Sequence, residues 1–325
     1  MAVFIIRRLL QTLVVMGLMS VIVFFGVNTV GDPVHMFVSP DAPQAEIERV
    51  IEQFGLDKPV WEQYLLFMKG AFQGDLGDSY VFGSPALSLI LDRMPATLEL
   101  AVAALVLAIV LGIPLGLYAG LNPESRVSRA IMAVSILGFS LPTFWVGLMM
   151  IMLFAVELGW LPAIGRGETA TVLGITSSAF TLDGLSHLAM PALNLALLKI
   201  SLVIRLTRAG AREAMSQDYI KFARAKGLSR GRVIGVHLLK NILIPVVTVL
   251  GLEFGALIAF SVVTETIFAW PGMGKLLIDS ILVLDRPVVV AYLLIIVMFF
   301  VFINLTVDII YSILDPRVRL KDQGA

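Results

Sequence analysis

The chain has no cysteine, which excludes disulfides, thiolate metal sites and thiol catalysis. It has only three histidines, His35, His187 and His237, none close to another in sequence, so a histidine-based metal cluster is not expected. Charge is scarce too: Asp, Glu, Lys and Arg make up 15% of 325 residues and cancel to a net charge of zero. A phosphate-cradling loop is also missing. Such a loop needs Gly-x-x-x-x-Gly-Lys-Ser/Thr, so that backbone N–H groups can surround the phosphates. The one lookalike, Gly272-Met273-Gly274-Lys275-Leu276, has Ala269 in place of the first glycine and no hydroxyl after the lysine. ATP hydrolysis is therefore not expected of this chain. Nor does any nucleophile–base pair or His/Asp metal motif suggest a membrane-embedded enzyme.

What the chain has in excess is apolar residues. They make up 58% of it and the mean hydropathy is +0.93, more than a soluble core can hide, so lipid must be the solvent. A spanning helix needs about 20 mostly apolar residues. Six stretches qualify: 9–30, 96–120, 130–156, 188–206, 243–264 and 288–314. The first follows Arg7-Arg8, as a signal peptide would. It is too long, and no small-residue cleavage site precedes Gly31-Asp32-Pro33, so it is read as a retained anchor.

The bases divide unevenly. Arg7, Arg8, Arg126, Arg129, Arg205, Arg208, Arg212, Lys221, Arg224, Lys226, Arg230, Arg232, Lys240, Arg317, Arg319 and Lys321 fall in one set of connecting segments. Only Arg49, Lys58, Lys69, Arg93, Arg166, Lys275 and Arg286 fall in the other. The positive-inside rule then puts both termini in the cytoplasm, which an even number of spans allows. The long first outer loop, 31–95, is acidic. In it, Ile47, Val50, Ile51 and Phe54 recur at helical spacing after Pro40-Asp41, and Gly55 ends the run. Trp61, Tyr64, Leu65, Met68 and Phe72 predict a second amphipathic helix. The pair can cap the bundle at the interface, form a docking face for an extracytoplasmic partner, or do both.

Ionisable residues inside a span mark functional candidates. Lys199 lies twelve residues past His187, and Glu253 twelve before Glu265. At 1.5 Å per residue, both sit about 18 Å from the outer ends of antiparallel spans. They are read either as a buried ion pair or as lining of a translocation path that meets charged ends of a solute. Glu265 and Asp308 are read as structural, with Asp308 near the inner end of its span and within reach of Arg205 or Arg208. Asn194 and Asn304 are expected to hydrogen-bond between helices, and Gly112, Gly116 and Gly120 to mark a close helix crossing.

Between the fourth and fifth spans lies a basic insert carrying Arg212, Lys221, Arg224, Lys226, Arg230, Arg232 and Lys240 against Glu213 and Asp218. Asp218 is placed to cap a helix over 219–226, Gly227 to end it in a left-handed conformation, and Ser229 to cap a second helix running into the membrane. The bases can serve topology and anionic headgroups. Alternatively the small residues Ala223, Ala225 and Gly227 let the backbone enter a groove closely, with the bases as rim.

The run Ala223-Arg224-Ala225-Lys226-Gly227-Leu228-Ser229, with His237, Asn241 and Pro245, resembles the coupling loop of permeases of the oligopeptide/dipeptide/nickel-type ABC importer family. Matching motifs run along nearly the whole chain: Gly31-Asp32-Pro33, Gly55-Leu56-Asp57-Lys58-Pro59 with Gln63-Tyr64, Gly74-Asp75-Leu76-Gly77, Ala96-Thr97-Leu98-Glu99-Leu100, and Ser140-Leu141-Pro142 with Phe144-Trp145. Met190-Pro191-Ala192, Thr264-Glu265-Thr266-Ile267-Phe268-Ala269-Trp270-Pro271-Gly272, Asn304, Asp308, Tyr311 and Asp315-Pro316-Arg317 complete the set. One departure stands out. Importer permeases more broadly carry Glu-Ala-Ala six residues before the loop glycine, where this chain has Lys221-Phe222-Ala223, and Glu213-Ala214-Met215 lies too far upstream to replace it.

The resemblance implies an all-α polytopic membrane protein with six transmembrane helices, the type I ABC importer permease architecture and both termini cytoplasmic. Residues 1–93 would be the first span and an acidic periplasmic loop, 94–312 the importer core with its coupling loop over about 209–242, and 313–325 a cytoplasmic tail. It implies a multi-pass protein of the bacterial inner membrane. The partners would be a second homologous permease, two cytoplasmic ATP-binding subunits that hold ATP and magnesium, a periplasmic or extracellular solute-binding protein, and membrane lipid. No nucleic acid and no cofactor on this chain are expected. Di- or oligopeptides are the first expected solutes, with nickel, glutathione, opines or oligosaccharides as alternatives. An ion-coupled secondary transporter would need broken helices in two matching halves, which the sequence does not display.

Overall fold

The computed structural model describes residues 2–29, 34, 38, 43–53 and 56–314, and side chains over 10–29, 34, 38, 43–52 and 56–307. Gly31-Asp32-Pro33, Pro40-Asp41, Phe54, Gly55 and the tail from Asp315 lie outside the described residues, as do the side chains of Arg7, Arg8, Asp308 and Tyr311. The elements in chain order are α1 (Ala2–Asn28), α2 (Gln44–Gln53), α3 (Val60–Ala71), α4 (Ala86–Leu121), α5 (Arg126–Ser140) and α6 (Thr143–Glu157). A short antiparallel hairpin follows, β1 (Ala170–Val172) and β2 (Ile175–Ser177). Then come α7 (Leu182–Ser216), α8 (Asp218–Ala225), α9 (Arg230–Ile267), α10 (Met273–Leu282) and α11 (Arg286–Leu314).

Five of these, α1, α4, α7, α9 and α11, are long and apolar enough to cross a membrane. The third expected span, 130–156, is not one straight helix. It is the pair α5 and α6, bent by 107°, and only if that pair counts as one broken span does the number reach six. The cause is local. Leu141 precedes Pro142 and is held extended (φ −83°, ψ 136°), since the proline ring disfavours helical backbone before it. Pro191 and Pro245, by contrast, lie inside α7 and α9 without ending them, because neighbouring groups in a bundle can satisfy the backbone that a proline frees. Helices also outrun the hydropathy signal: α7 starts six residues before its apolar core, with Thr181 Oγ1 accepting from the Gly184 N–H at 2.9 Å.

The chain divides into two compact units. The first comprises 1–97 and 271–305. Its core joins Val23 and Phe24 of α1 to Val290 of α11, with Tyr64 and Phe67 of α3 packed against them. The Tyr64 ring meets Phe24 edge-on at 5.4 Å, and its hydroxyl lies 2.9 Å from Ser20 Oγ. The packed face of α3 is therefore Tyr64–Phe67, while Trp61, Leu65 and Phe72, expected on one apolar stripe with Tyr64, are exposed. Asp285, fully buried, accepts from the Tyr80 N–H at 3.0 Å and from Ser79 Oγ. Burial pushes the Tyr80 phenol above its ordinary pKa, outweighing the opposing pull of Arg286.

The second unit comprises 98–270 with 306–325, and α7 is its most buried span. Within it α4 meets α7 backbone to backbone. A Cβ on Gly112 would stand 2.7 Å from Val203 Cβ, one on Gly116 2.6 Å from the Ile204 carbonyl, and one on Gly120 2.6 Å from Ala211 Cβ. The crossing expected from the glycine spacing is present, and glycine is required at each step because no side chain has room. Gly116→Leu is expected to cost about 1–3 kcal/mol through overpacking and to lower the thermal unfolding temperature of the purified protein. Gly17→Leu, where no atom lies within 4 Å of the added Cβ, should leave that temperature unchanged; equal effects at both sites would contradict the close crossing.

Candidate functional site

Helix α8 is short, amphipathic and sharply ended. Its N-cap is Gln217, whose side chain makes no capping bond. Asp218, expected to be the cap, is instead the first helical residue and pairs with Lys221 Nζ at 2.9 Å; there it still complements the helix N-terminus. At the other end Gly227 has φ +75°. The Gly227 N–H donates to the Arg224 carbonyl at 2.9 Å and the Leu228 N–H to the Ala223 carbonyl at 3.3 Å. This is the full two-bond helix stop that a left-handed glycine permits. Ser229 then stands at the N-cap of α9, again without a side-chain bond.

Helix α8 packs against the last turns of α7 and the first turns of α9. The two residues it buries are Ile220 and Ala223, one helical turn apart; Ala214 near the end of α7 and Val233 and Leu238 near the start of α9 are buried too. Of the residues expected to couple, Ala223 is buried against its own chain and seats the helix. Arg224, Ala225, Lys226, Gly227 and Ser229 are exposed, and Leu228 is half-buried. The outward face includes two aromatic rings that the small-residue reading did not anticipate: Tyr219 and Phe222 are exposed, and Lys226 Nζ lies 4.6 Å from the Phe222 ring centroid. The sequence signal was their i, i+3, i+7 spacing with Lys226. The base of α9 is itself irregular, with a π-helical segment over Val233–Leu238, and Asn241 Nδ2 donates to the His237 carbonyl at 2.8 Å.

Further along α7 and α9, Lys199 Nζ and Glu253 Oε2 are ion-paired, with side chains 16% and 30% exposed. Consecutive antiparallel helices thus bring the two charges to one level. Asn194 Nδ2 donates to Thr264 Oγ1 at 3.1 Å, which links the same helices. The Asn304 side chain has no hydrogen-bond partner among the described residues. Glu265 is fully buried and accepts from Ser261 Oγ at 2.8 Å. Arg205 stacks on Phe139 at 4.5 Å.

A third cluster was not anticipated. Glu99 of α4 receives Arg166 through Nε at 3.0 Å and through Nη2. Its other oxygen receives the Ser178 N–H at 2.8 Å and the Ser178 hydroxyl. Arg166 also lies 6.0 Å over the Trp270 ring, and the Gly165 N–H donates to the Phe268 carbonyl at 2.9 Å. The loop between α6 and α7 is thereby stapled to α4 and to the end of α9. An acid within the second apolar run was the available signal.

Apolar helices long enough to cross a bilayer, a hydrogen-bonded polar interior and a glycine-ended helix on the base-rich side define a multi-pass membrane protein. The chain belongs to the family of binding-protein-dependent transport system inner membrane components: that family's model matches residues 112–320, and its N-terminal companion matches 1–101. It is 39% identical over 320 residues to the di/tripeptide transport system permease protein DppB of Pseudomonas aeruginosa, covering 91% of this chain and 95% of that one. It is 37% identical to the glutathione transport system permease protein GsiC of Escherichia coli strain K12, covering 98% and 99%. With the oligopeptide transport system permease protein AppB of Bacillus subtilis it shares 38%, covering 98% and 100%. In fold it is similar to a chain of the MetNI methionine ABC transporter, with a TM-score of 0.54 and 16% identity over 70% of this chain and 97% of that one. The protein is an inner-membrane permease subunit of an ABC importer and works with the other components of such a system.

If the Lys199–Glu253 contact holds α7 to α9, Lys199→Glu or Glu253→Lys alone leaves like charges together. Each should destabilise the protein by about 3–5 kcal/mol, the cost of an unpaired buried charge. The double swap should recover most of that in thermal unfolding of the purified protein. A double variant no better than the worse single one would show that the pair does not contribute.

Proposed function

We propose that this chain forms half of the translocation pathway of a peptide importer, beside a second homologous permease. Two cytoplasmic ATP-binding subunits would hold α8 of each permease, and an extracytoplasmic solute-binding protein would deliver the solute. ATP and magnesium would sit on the ATP-binding subunits, and this chain would carry no hydrolytic step. The observation that carries the reading is the build of α8. A helix seated on its own chain by Ile220 and Ala223, stopped by a left-handed Gly227 and exposing Tyr219 and Phe222 suits a partner that must move it as a rigid body. Exposed aromatics beside a cation are the side chains that anchor protein interfaces.

Di- and oligopeptides are the solute class we favour, because two of the three relatives above carry such names and the third is named for glutathione. Glu253, the more exposed member of its pair, is the candidate for meeting a solute ammonium group on the path. Lys199 would then hold the carboxylate in place while the path is empty.

Gly227→Val places a β-branched residue at φ +75°, a conformation open to glycine and strained for valine. In the complete transporter reconstituted in liposomes, we expect normal insertion, ATP hydrolysis within about twofold of wild type, and dipeptide uptake reduced about tenfold or more, a loss of about 1.4 kcal/mol in coupling. Unchanged uptake would contradict the coupling role. Uptake of glutathione with no uptake of unmodified dipeptides would contradict the solute class alone.

A further inference from the structure

The hairpin β1–β2 exposes the apolar side chains Val172, Leu173 and Ile175. Its strands pair Ala170 with Ser177, Thr171 with Thr176 and Val172 with Ile175. Because side chains alternate along a strand, Val172 and Ile175 share one face. Thr171 and Thr176 occupy the other, with their hydroxyls 2.8 Å apart. The two-residue turn is Leu173-Gly174, with φ +52° and +80°. A turn with both central residues at positive φ favours Asn, Asp or Gly at its first position. Here that position holds a leucine that is 98% exposed. The backbone conformation is strained for leucine in any solvent, and the apolar exposure is unfavourable in water.

The hairpin's placement indicates what covers it. It lies in the connection between two membrane helices, α6 ending at Glu157 and α7 beginning at Leu182, on the side poor in bases. No charged residue occurs from 169 to 182. Trp160, exposed at the end of α6, is of the type that collects at the membrane–water boundary. The ladder pairs the backbone groups that face across it, and those on its two outer edges are left to the hydrated headgroup zone. Its base is fixed by Ser178 on Glu99, and Arg166 Nη2 reaches the Thr176 carbonyl at 3.5 Å.

We propose that β1–β2 is an interfacial anchor. It lays Val172, Leu173 and Ile175 into the outer leaflet of the membrane and turns Thr171 and Thr176 toward the headgroups. The occupant is lipid acyl chain, continuous with the lipid facing the exposed Met152, Leu153 and Val156 of α6.

The absence of cysteine from the chain makes the test direct. Leu173→Cys and Thr171→Cys would each carry an environment-sensitive fluorophore in the complete transporter, with cysteine-free partner subunits, in nanodiscs. A nitroxide placed high on the lipid acyl chains should quench the probe at 173 roughly threefold more than the probe at 171, as expected for an apolar face set 5–10 Å into the boundary. Adding the solute-binding protein should change neither. Equal quenching of both probes by aqueous iodide would overturn the anchor. So would shielding of position 173 that appears only with the solute-binding protein, which would make the hairpin a partner contact instead.

Discussion

In lipid, hiding apolar side chains from solvent gains a helix nothing, so the second unit depends on surfaces close enough for dispersion and hydrogen bonds to act. Helix α7 is where that requirement is met. Gly112, Gly116 and Gly120 bring α4 onto its backbone with no space for a Cβ. Ser135 of α5 donates to the Ser201 carbonyl, and Asn194 and Lys199 reach α9. Helices α4, α5 and α9 are each positioned by reference to α7.

That arrangement gives the two ends of α7 a mechanical relation. The helix runs 35 residues without interruption, about 52 Å at 1.5 Å per residue. One end carries the Thr181 cap and the loop stapled by Glu99 and Arg166. The other lies one residue from α8. On the proposed function, a displacement of α8, seated by Ile220 and Ala223, would pass to a stiff rod rather than to a loop. The ion pair and the Asn194–Thr264 bond tie α9 to the same rod, so the two helices that flank α8 in sequence can respond together.

How much of this was legible in the sequence depended on the range of the interaction. Gly227 and the three glycines of α4 were readable because a left-handed stop and a small-residue crossing follow from residue type and local spacing. The level of Lys199 and Glu253 followed from helix rise alone. The break at Leu141-Pro142 was hidden because hydropathy continues through it; only the pre-proline restriction marked it, and Pro191 and Pro245 show that proline alone does not decide. Asp218 failed as a cap by one residue, within the ordinary uncertainty of a helix end. Glu99 was missed because its partners, Arg166 and Ser178, lie far along the chain. The inward turn of Ala223 depends on packing against α7 and α9, which composition does not reveal; the aromatic face of α8 then follows from the helical period.

The central claim is that another subunit holds α8 by its aromatic face. The most direct measurement is site-specific photo-crosslinking from position 222 in the intact complex in membranes. The account predicts an adduct to an ATP-binding subunit from position 222, and none from the buried position 220. Adducts from 222 only to lipid, or equal yields from both positions, would contradict it.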